Sequence, residues 1–437
     1  MKASLNLLAG LVSLTAVVSI TSADNLIVNP HLSYDPSIAS ITTQVDTISL
    51  KYYMEGLQSF YNHNIFRSNY DSTVQWLINQ FMAMGISDVR RDTFYNPYAN
   101  KSGYNIVATL PGLQDTSIVY IAGGHYDAVV GVDTAGVVSF YSPGADDNGS
   151  GTTAVLEMAR LLALPGNRPN STIRFIAFDA EEAGSLGSKH YAGEAYQQNM
   201  NIGLMSNYDC IGSHLCDTLY HTVPLSGSEV FAELLCRTTE MYGNDGTNNI
   251  RAVIGDDMSS DFMSFHDLGY PTTHSQEYIV DVAKIHSFYD STTYINYPAM
   301  ANIIRGGLGL LSTISDYPRV IKPLAKDGGN GSELLITWEP GIANNIVAHM
   351  LFWGYSSGVY IDSAITGLSE YIITGLAEDN LYYVGIIAID DSSKESPIIT
   401  EVTGTPRSVP LIPSGLTAIP VDSGVTLCWN KNLELDL

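Results

Sequence analysis

Five short segments rich in histidine and carboxylate residues constrain this chain more than any other feature of its sequence. They read Gly-Gly-His125-Tyr-Asp127, Gly-Ala-Asp146-Asp147-Asn148-Gly, Asp179-Ala-Glu181-Glu182-Ala-Gly, Asn-Tyr-Asp209-Cys and Ile-His286-Ser-Phe-Tyr-Asp290. Three of them follow apolar, strand-like runs, and an open α/β sheet builds its ligand site at the carboxyl ends of its strands. Histidines and carboxylates with no obligatory cysteine suit zinc or a similar divalent metal, rather than an iron–sulfur or blue-copper centre.

Strand and helix patterns alternate around these segments. Val74, Leu77, Ile78 and Phe81 have the spacing of an amphipathic helix. The apolar, β-branched run from Thr172 to Phe178 predicts a strand that leads into the paired glutamates. This alternation predicts an α/β domain with a mixed, largely parallel sheet sandwiched by helices.

The pattern changes near Pro318, after which short strands separated by glycine, asparagine and aspartate replace the helices. Leu376, followed six residues later by Tyr382, resembles the tyrosine corner of a fibronectin type III sandwich. We therefore predict an all-β fibronectin type III-like domain over residues 318–408. Val425-Thr-Leu-Cys-Trp429 repeats the pattern Leu335-Ile-Thr-Trp338 about ninety residues later, so residues 409–437 are predicted to begin a second, truncated module.

The amino-terminal residues predict export. Lys2, an apolar run from Leu5 to Ile20 and small residues up to Ala23 form the pattern of a signal peptide over residues 1–23. No second segment has the length and apolarity of a membrane span. The expected location of the mature protein is periplasmic or extracellular.

The net charge limits the classes of binding partner to expect, and the cysteine content limits the number of disulfide bonds. The net charge is −25, with 20 basic residues against 45 acidic ones, which excludes nucleic acid and anionic membranes as expected partners. Four cysteines are too few for a disulfide framework in 437 residues. Export permits one bridge among Cys210, Cys216 and Cys236, in a pairing the sequence leaves open, and Cys428 is expected to lie apart from it.

The five segments, in this order, resemble the secreted co-catalytic zinc aminopeptidases of the bacterial leucyl aminopeptidase type. The resemblance extends from about Arg67 to Thr293. It implies a catalytic domain over residues 24–317, two Zn²⁺ ions per chain, and peptides or proteins as substrates.

The resemblance also implies the ligands of the two ions. Asp147 would bridge them, His125 and Asp209 would complete one site, and Glu182 and His286 would complete the other. The peptide bond after the bridging aspartate, Asp147-Asn148, is cis in this family.

Two further residues are expected to act beside the ligands. The family position of Glu181 implies a general base that takes a proton from the attacking water. Asp127 stands two residues after His125, where a carboxylate can receive the second ring N–H of a metal-binding imidazole and fix its orientation.

The position of Phe262 departs from the family pattern, since many relatives carry histidine there. Met258, Phe262 and Phe265 are therefore candidates either for a specificity pocket or for core packing. Four further histidines of this region are expected to be structural or solvated: His214, His221, His266 and His274.

Removal of amino-terminal residues from peptides is the leading function. A carboxypeptidase of the same fold is an alternative, but it needs a basic residue for the substrate carboxylate, and only Arg174 and Lys284 lie in or near the motifs. A single-zinc glutaminyl cyclase also shares this fold, although the presence of His125 favours a complete pair of metal sites. A binding protein on an inactive peptidase fold agrees less well with an intact ligand set. The carboxyl-terminal module could bind an extracellular polymer or protein.

Overall fold

The computed structural model describes residues 25–132, 138–214, 219–222, 225–243, 251–254, 259–339, 341, 345–409, 414–422 and 424–430. The predicted signal peptide lies outside these residues, as do Met258 and Cys216.

Within the described residues the chain forms eight α-helices and twenty β-strands. The helices are α1 (Pro36–Thr42), α2 (Thr47–Gln58), α3 (Tyr70–Ala83), α4 (Gly151–Leu162), α5 (Leu186–Gln197), α6 (Glu229–Tyr242), α7 (Phe262–His266) and α8 (Tyr297–Asp316). The strands are β1 (Asn25–Val28), β2 (Asp88–Asn96), β3 (Lys101–Leu110), β4 (Asp115–His125), β5 (Val130–Val132), β6 (Val138–Tyr141), β7 (Ser171–Phe178), β8 (Ile202–Tyr208), β9 (Leu219–Thr222), β10 (Arg251–Ile254), β11 (Thr272–Glu277), β12 (Ile321–Asp327), β13 (Leu334–Glu339), β14 (Ile346–Gly354), β15 (Asp362–Thr366), β16 (Glu370–Ile373), β17 (Tyr382–Asp390), β18 (Ile398–Gly404), β19 (Thr417–Val421) and β20 (Gly424–Cys428).

An eight-stranded mixed sheet forms the centre of the first part of the chain. Its strand order is β10-β9-β11-β8-β4-β7-β3-β2. The central strand β4 runs parallel to both of its neighbours, β7 and β8, whereas β2 and β3 form an antiparallel edge. The prediction of a mixed α/β sheet is therefore confirmed.

Helices cover both faces of this sheet because its central strands are apolar on both sides. Along β4, Tyr120 and Ala122 belong to a core shared with α2, α3, α4, α6 and α8. The alternating residues Val119 and Ile121 belong to a second core on the other face, shared with α5 and α7. A strand buried on both faces has a continuous apolar sequence, as Ile118 to Ala122 does.

The carboxyl-terminal part is all-β. A three-stranded sheet, β12-β13-β16, and a five-stranded sheet, β1-β18-β17-β14-β15, contribute side chains to one shared core. The Tyr382 hydroxyl accepts a hydrogen bond of 2.9 Å from the backbone N–H of Ala377, which is the contact expected of a tyrosine corner. Assignment of this unit to the fibronectin type III class stays a prediction.

The first described strand crosses the predicted domain division. Strand β1 pairs antiparallel with β18, from Asn25 opposite Glu401 to Val28 opposite Ile398. A second link between the two parts is Asp35, which contacts Lys394 at 2.8 Å and accepts a hydrogen bond of 3.0 Å from the Tyr317 hydroxyl. The all-β unit thus contains residues from both ends of the chain, whereas the division near residue 317 was placed where the helical pattern of the sequence gives way to short strands.

Three further predictions concerned a disulfide bond, a second carboxyl-terminal module and the absence of a membrane span. Cys210, Cys236 and Cys428 are free thiols, so no bridge joins Cys210 to Cys236. Strands β19 and β20 form an exposed hairpin at the position of the predicted second module, and its identity as a module stays a prediction. Among the described helices, none has the length and apolarity needed to cross a bilayer.

His349 is expected to make the stability of the all-β unit sensitive to acid. Its ring is 6% exposed, lies 4.8 Å from the Trp338 ring, and neither of its nitrogens has a hydrogen-bond partner among the described residues. Burial lowers the pKa of His349. Below pH ~6.5 His349 binds a proton more readily in the unfolded chain than in the folded unit. The free energy of unfolding therefore decreases as the pH falls, by at most about 1.4 kcal/mol per pH unit.

The expected result is therefore a larger decrease in the Tm of the all-β unit between pH 7.5 and 5 for the native chain than for His349→Leu. Calorimetry at both pH values measures the difference. Equal decreases in the two proteins would contradict the assignment of this acid sensitivity to His349.

Candidate metal centre

Three of the five motif segments meet because β7, β4 and β8 are parallel neighbours in the sheet. His125 is the last residue of β4 and pairs in register with Phe178, the last residue of β7. Asp209 directly follows β8, and the paired glutamates follow β7 by three residues. The carboxyl ends of parallel strands lie at one edge of a sheet, so these side chains converge there.

The fourth segment is the turn from Ala145 to Ser150 that leads into α4. Its peptide bond Asp147-Asn148 is cis, as the family resemblance implies. Gly151 begins the helix against β8, and a Cβ at this position would lie 2.0 Å from the carbonyl oxygen of Tyr208. Only glycine lets the turn approach β8 closely enough to bring Asp147 to the ligands on the strands.

The five predicted ligands form two groups that share Asp147. In each group, one ligand atom per residue lies within 4.8 Å of the others, and the groups are His125–Asp147–Asp209 and Asp147–Glu182–His286. His125 Nε2 is 3.5 Å from Asp147 Oδ1 and 3.4 Å from Asp209 Oδ1. His286 Nε2 is 2.8 Å from Asp147 Oδ2 and 3.5 Å from Glu182 Oε2. The structure thus brings together all five predicted ligands.

The donor atoms of this centre fit divalent cations. Glu182 Oε1 and Asp209 Oδ1 are buried and accept no hydrogen bond from the described residues. Burial raises the pKa of Glu182 well above its ordinary value, and the charge of Asp147 adds to the shift. Buried carboxylates in such proximity repel one another, and a bound cation would remove this cost and hold them ionised.

His125 directs its Nε2 atom towards the carboxylates of this centre. Its Nδ1–H lies 3.1 Å from the carbonyl oxygen of Asp127, whereas the Asp127 carboxylate is 3.5 Å away. Burial alone would lower the pKa of His125, but the charges of Asp209 and Glu181 and hydrogen bonding to Asp127 and Asp209 outweigh it and raise the pKa well above its ordinary value. The Nδ1 proton is held by the Asp127 carbonyl oxygen, and a metal bound at Nε2 would displace the proton from that atom.

The predicted acceptor of the His125 ring N–H was the Asp127 carboxylate, but the hydrogen bond goes to the Asp127 carbonyl, and the carboxylate has another contact that the sequence did not reveal. Its two oxygens accept hydrogen bonds from the backbone N–H groups of Glu181, at 2.9 Å, and Glu182, at 3.3 Å. One residue therefore supports His125 through its carbonyl and fixes the turn that carries both glutamates.

Glu181 stands beside the ligands without belonging to either group. Its Oε2 is 4.0 Å from His125 Nε2, and its Oε1 accepts a hydrogen bond of 3.3 Å from the Ser185 hydroxyl. Burial raises the pKa of Glu181 to about 8. The side chain is 18% exposed, so water or substrate can reach it.

Sequence reasoning missed two carboxylates that support the Asp146–Asp147 turn. Asp290 accepts hydrogen bonds from the backbone N–H groups of Asp146, at 2.7 Å, and Asp147, at 3.1 Å. Glu277 lies on the far side, where its carboxyl contacts that of Asp146. Burial and the negative charge of Asp146 raise the pKa of Glu277 to about 11, which favours a proton shared between the two carboxyl groups. The motif contained Asp290, but its distance of more than 140 residues from the turn hid the contact.

Two neighbours of Asp209 were also missed. The Ser260 hydroxyl donates a hydrogen bond of 2.6 Å to Asp209 Oδ2. Asp261 is fully buried near Glu181 and Asp209, and burial raises its pKa to about 7. Ser260 and Asp261 directly precede Phe262 in the sequence, and this adjacency was the signal that could have identified them as neighbours of the site.

Phe262 and Phe265 belong to the core. Both are 0% exposed, and Phe262 stacks on the buried His274 at 4.6 Å between ring centroids. They pack beneath the site, so of the two alternatives the structure supports core packing.

A third group of possible ligands, Asp92, His190 and Glu194, lies away from this centre. Asp92 already contacts Arg90 at 3.0 Å and accepts a hydrogen bond of 2.8 Å from Asn105. The Arg90 charge satisfies the buried carboxylate without a metal.

Comparison with known sequences relates this chain to metallopeptidases. Residues 105–309 match the family model described as Peptidase family M28. A probable zinc metalloprotease of Pyrenophora teres f. teres is 28% identical over 253 residues, which cover 53% of this chain and 51% of that protein. Aminopeptidase YwaD of Bacillus subtilis is 34% identical over 179 residues, which cover 39% of this chain and 35% of that protein. The chain thus spans about half or less of the length of these curated relatives.

Solved structures share the fold. The Legionella pneumophila LapA aminopeptidase has a TM-score of 0.54 at 18% identity, covering 65% of this chain and 78% of that one. A glutaminyl cyclase of Bacteroides thetaiotaomicron has a TM-score of 0.51 at 19% identity, covering 62% and 98%. Residues 105–309 are therefore similar in sequence to the M28 peptidases, among them a probable zinc metalloprotease and a bacterial aminopeptidase.

Proposed function

We propose that this protein is an exported di-zinc aminopeptidase that hydrolyses residues from the amino end of peptides. The observation that carries the proposal is the pair of histidine–carboxylate groups that share Asp147, with Glu181 beside them and outside both. His125, Asp147 and Asp209 would hold one ion, and Asp147, Glu182 and His286 the other. Zinc, when bound, supplies a Lewis acid that polarises the scissile carbonyl and acidifies water.

The protein's own residues then perform the proton transfers. The Glu181 carboxylate accepts a proton from the attacking water and delivers it to the nitrogen of the leaving amine. Burial and the nearby charges of Asp261 and Asp209 raise its proton affinity, which suits a base. Asp127 keeps the Glu181 backbone in place through the hydrogen bond to its N–H.

The charges around the centre favour an amino terminus over a carboxyl terminus. Lys284 contacts Asp281 at 2.7 Å and lies over the Tyr294 ring, and Arg174 donates to the Tyr191 hydroxyl at 2.7 Å. Both basic residues considered for a substrate carboxylate are thus engaged elsewhere. Besides the metal ligands, the carboxylates of Glu181, Asp127 and Asp261 add negative charge, which attracts an ammonium group and repels a carboxylate.

A glutaminyl cyclase is the second candidate, because such an enzyme shares the fold. Its single zinc would use only one of the two groups. The buried His125 and Asp209, with Asp209 Oδ1 unsatisfied, support a second ion and so favour the peptidase.

The deciding experiment combines zinc analysis of the purified protein with a substrate panel. We expect two zinc ions per chain and release of leucine from leucine amide, with loss of activity after chelation and recovery with zinc. One zinc together with cyclisation of an amino-terminal glutamine would establish the cyclase instead. Release of residues only from blocked peptides with a free carboxyl end would establish a carboxypeptidase.

A further inference from the structure

The hydroxyl group of Tyr70 joins the ends of two strands that carry the candidate metal centre. Tyr70 is the first residue of α3 and is 4% exposed. Its hydroxyl donates a hydrogen bond of 2.5 Å to Asp179 Oδ2 and accepts one of 3.2 Å from the Tyr126 hydroxyl. Tyr126 directly follows His125 at the end of β4, and Asp179 directly follows β7, two residues before Glu181. One side chain from a helix thus contacts both strand ends.

The position of this hydroxyl is fixed by its surroundings. Leu77 and Phe81 anchor α3 in the core, where both are 0% exposed. The Tyr70 ring stacks on the Tyr104 ring, with 6.0 Å between the centroids, and the Tyr104 N–H donates to the Tyr70 hydroxyl at 3.0 Å. With one hydrogen bond donated and two accepted, the hydroxyl has no bonding capacity left. Burial and the negative charge of Asp179 raise the pKa of Tyr70, so its hydroxyl stays protonated and remains the donor.

The turn between Asp179 and Glu181 is strained. Ala180 lies between them with a φ angle of +59°, in the left-handed region that steric contact of the Cβ atom disfavours. Such a conformation persists where the surrounding structure holds it. The Asp179 carbonyl accepts a hydrogen bond of 3.1 Å from the Gly187 N–H, and the Glu181 N–H donates one of 2.9 Å to Asp127. The direction of the Glu181 side chain therefore depends on how firmly both ends of the turn are held.

Tyr70 supplies the shortest hydrogen bond of the Asp179 carboxylate. This carboxylate is 0% exposed, and its Oδ2 also accepts a hydrogen bond of 3.1 Å from the Tyr104 N–H. Its Oδ1 accepts none from the described residues, although the adjacent Ala180 N–H lies close to the carboxylate. Loss of the Tyr70 hydroxyl would leave backbone N–H groups as the remaining donors. Because a buried carboxylate with too few donors is unfavourable, Asp179 would then move and displace the turn that leads to Glu181.

We propose that Tyr70 is a positioning residue, which holds Asp179 and the Ala180 turn and thereby directs the Glu181 carboxylate towards the metal centre. The inference rests on the proposed aminopeptidase function, in which Glu181 transfers the proton, and it adds a residue on which that transfer depends. Tyr70 lies before residues 105–309, the part that matches the M28 peptidases. The geometry of the proton transfer therefore depends on a helix outside the matched region.

The test compares the zinc-loaded full chain with Tyr70→Phe, Asp179→Ala and the double variant on leucine amide. We expect kcat to fall about 10–100-fold in each single variant, with KM within about twofold of the native value and the zinc content unchanged. Phenylalanine keeps the ring that stacks on Tyr104, and neither substituted residue belongs to a ligand group. The double variant should lose no more than the larger single loss, because both substitutions remove the same contact. A double loss equal to the product of the two single losses would overturn the coupling through Asp179.

Tyr317→Phe is the matched control, because the Tyr317 hydroxyl also donates to a carboxylate, at 3.0 Å to Asp35 Oδ2. This contact lies at the junction with the all-β unit. The control should keep the native kcat and KM. An equal loss of kcat in Tyr317→Phe and Tyr70→Phe would show a general effect of removing such a hydrogen bond and would overturn the specific role of Tyr70.

Hydrogen–deuterium exchange provides a measurement that does not depend on activity. In Tyr70→Phe the backbone amides of residues 179–187 should exchange faster than in the native chain, and in Tyr317→Phe they should not. An unchanged kcat in Tyr70→Phe would overturn the positioning role if the native chain is active. If the native chain releases no leucine, the proposed function fails, and exchange alone then decides the role of Tyr70: faster exchange supports it and unchanged exchange refutes it.

Discussion

Replacement of Glu181 by glutamine is expected to lower kcat by about 10²–10⁴-fold while zinc content stays that of the native chain. Glutamine preserves the size of the side chain and can keep the contact with Ser185, but it cannot accept the proton of the attacking water. Glu181 belongs to neither ligand group, so its loss removes no metal donor. Steady-state kinetics on leucine amide, with zinc analysis of the same preparation, measures both consequences.

Glu182→Gln is the matched control, because the two glutamates are adjacent and their backbone N–H groups donate to the same Asp127 carboxylate. This variant should lose zinc from the group that includes His286. If Glu181→Gln lost zinc and Glu182→Gln retained it, the roles of base and ligand would be exchanged between the two residues.

The sheet was largely predictable from local sequence signals, whereas the assignment of the individual ligands came from the family resemblance; the topology explains why these ligands meet. Thr172 to Phe178 and Ser117 to Ala122 have strand patterns, and a motif residue follows each. Once β4, β7 and β8 are parallel neighbours, their carboxyl ends must meet. The convergence of His125, Glu182 and Asp209 therefore follows from strand order.

The supporting contacts were not predictable from local pattern. Asp290 reaches the N–H groups of Asp146 and Asp147 from a loop more than 140 residues away, and a single aspartate carries no signal of such a contact. The same applies to β1, whose partner in β18 is separated from it by most of the chain. Whether Phe262 lines a pocket or packs in the core depends on how α7 packs against the sheet, and the hydrophobicity of the residue alone does not specify this.

The variants Asp147→Asn and Asp209→Asn should differ in the number of zinc ions that each retains. Asp147 belongs to both ligand groups, whereas Asp209 belongs to one. Loss of the shared carboxylate should therefore weaken both ions, and loss of Asp209 should weaken only the ion at His125. Substitution of either ligand should lower the zinc affinity by more than the roughly 10–100-fold that is typical when a residue supporting a ligand is replaced.

Equilibrium dialysis at fixed free zinc, followed by metal analysis, measures this difference. The expected contents are close to zero for Asp147→Asn and close to one for Asp209→Asn. The matched control is Asp267→Asn, which changes an exposed aspartate outside both groups and should retain two. A content of one ion in Asp147→Asn would mean that Asp147 serves a single site and that the two groups do not share a ligand. Because a shared carboxylate fixes the two ions next to each other, that result would also remove the structural basis for joint action of two metals on one scissile bond.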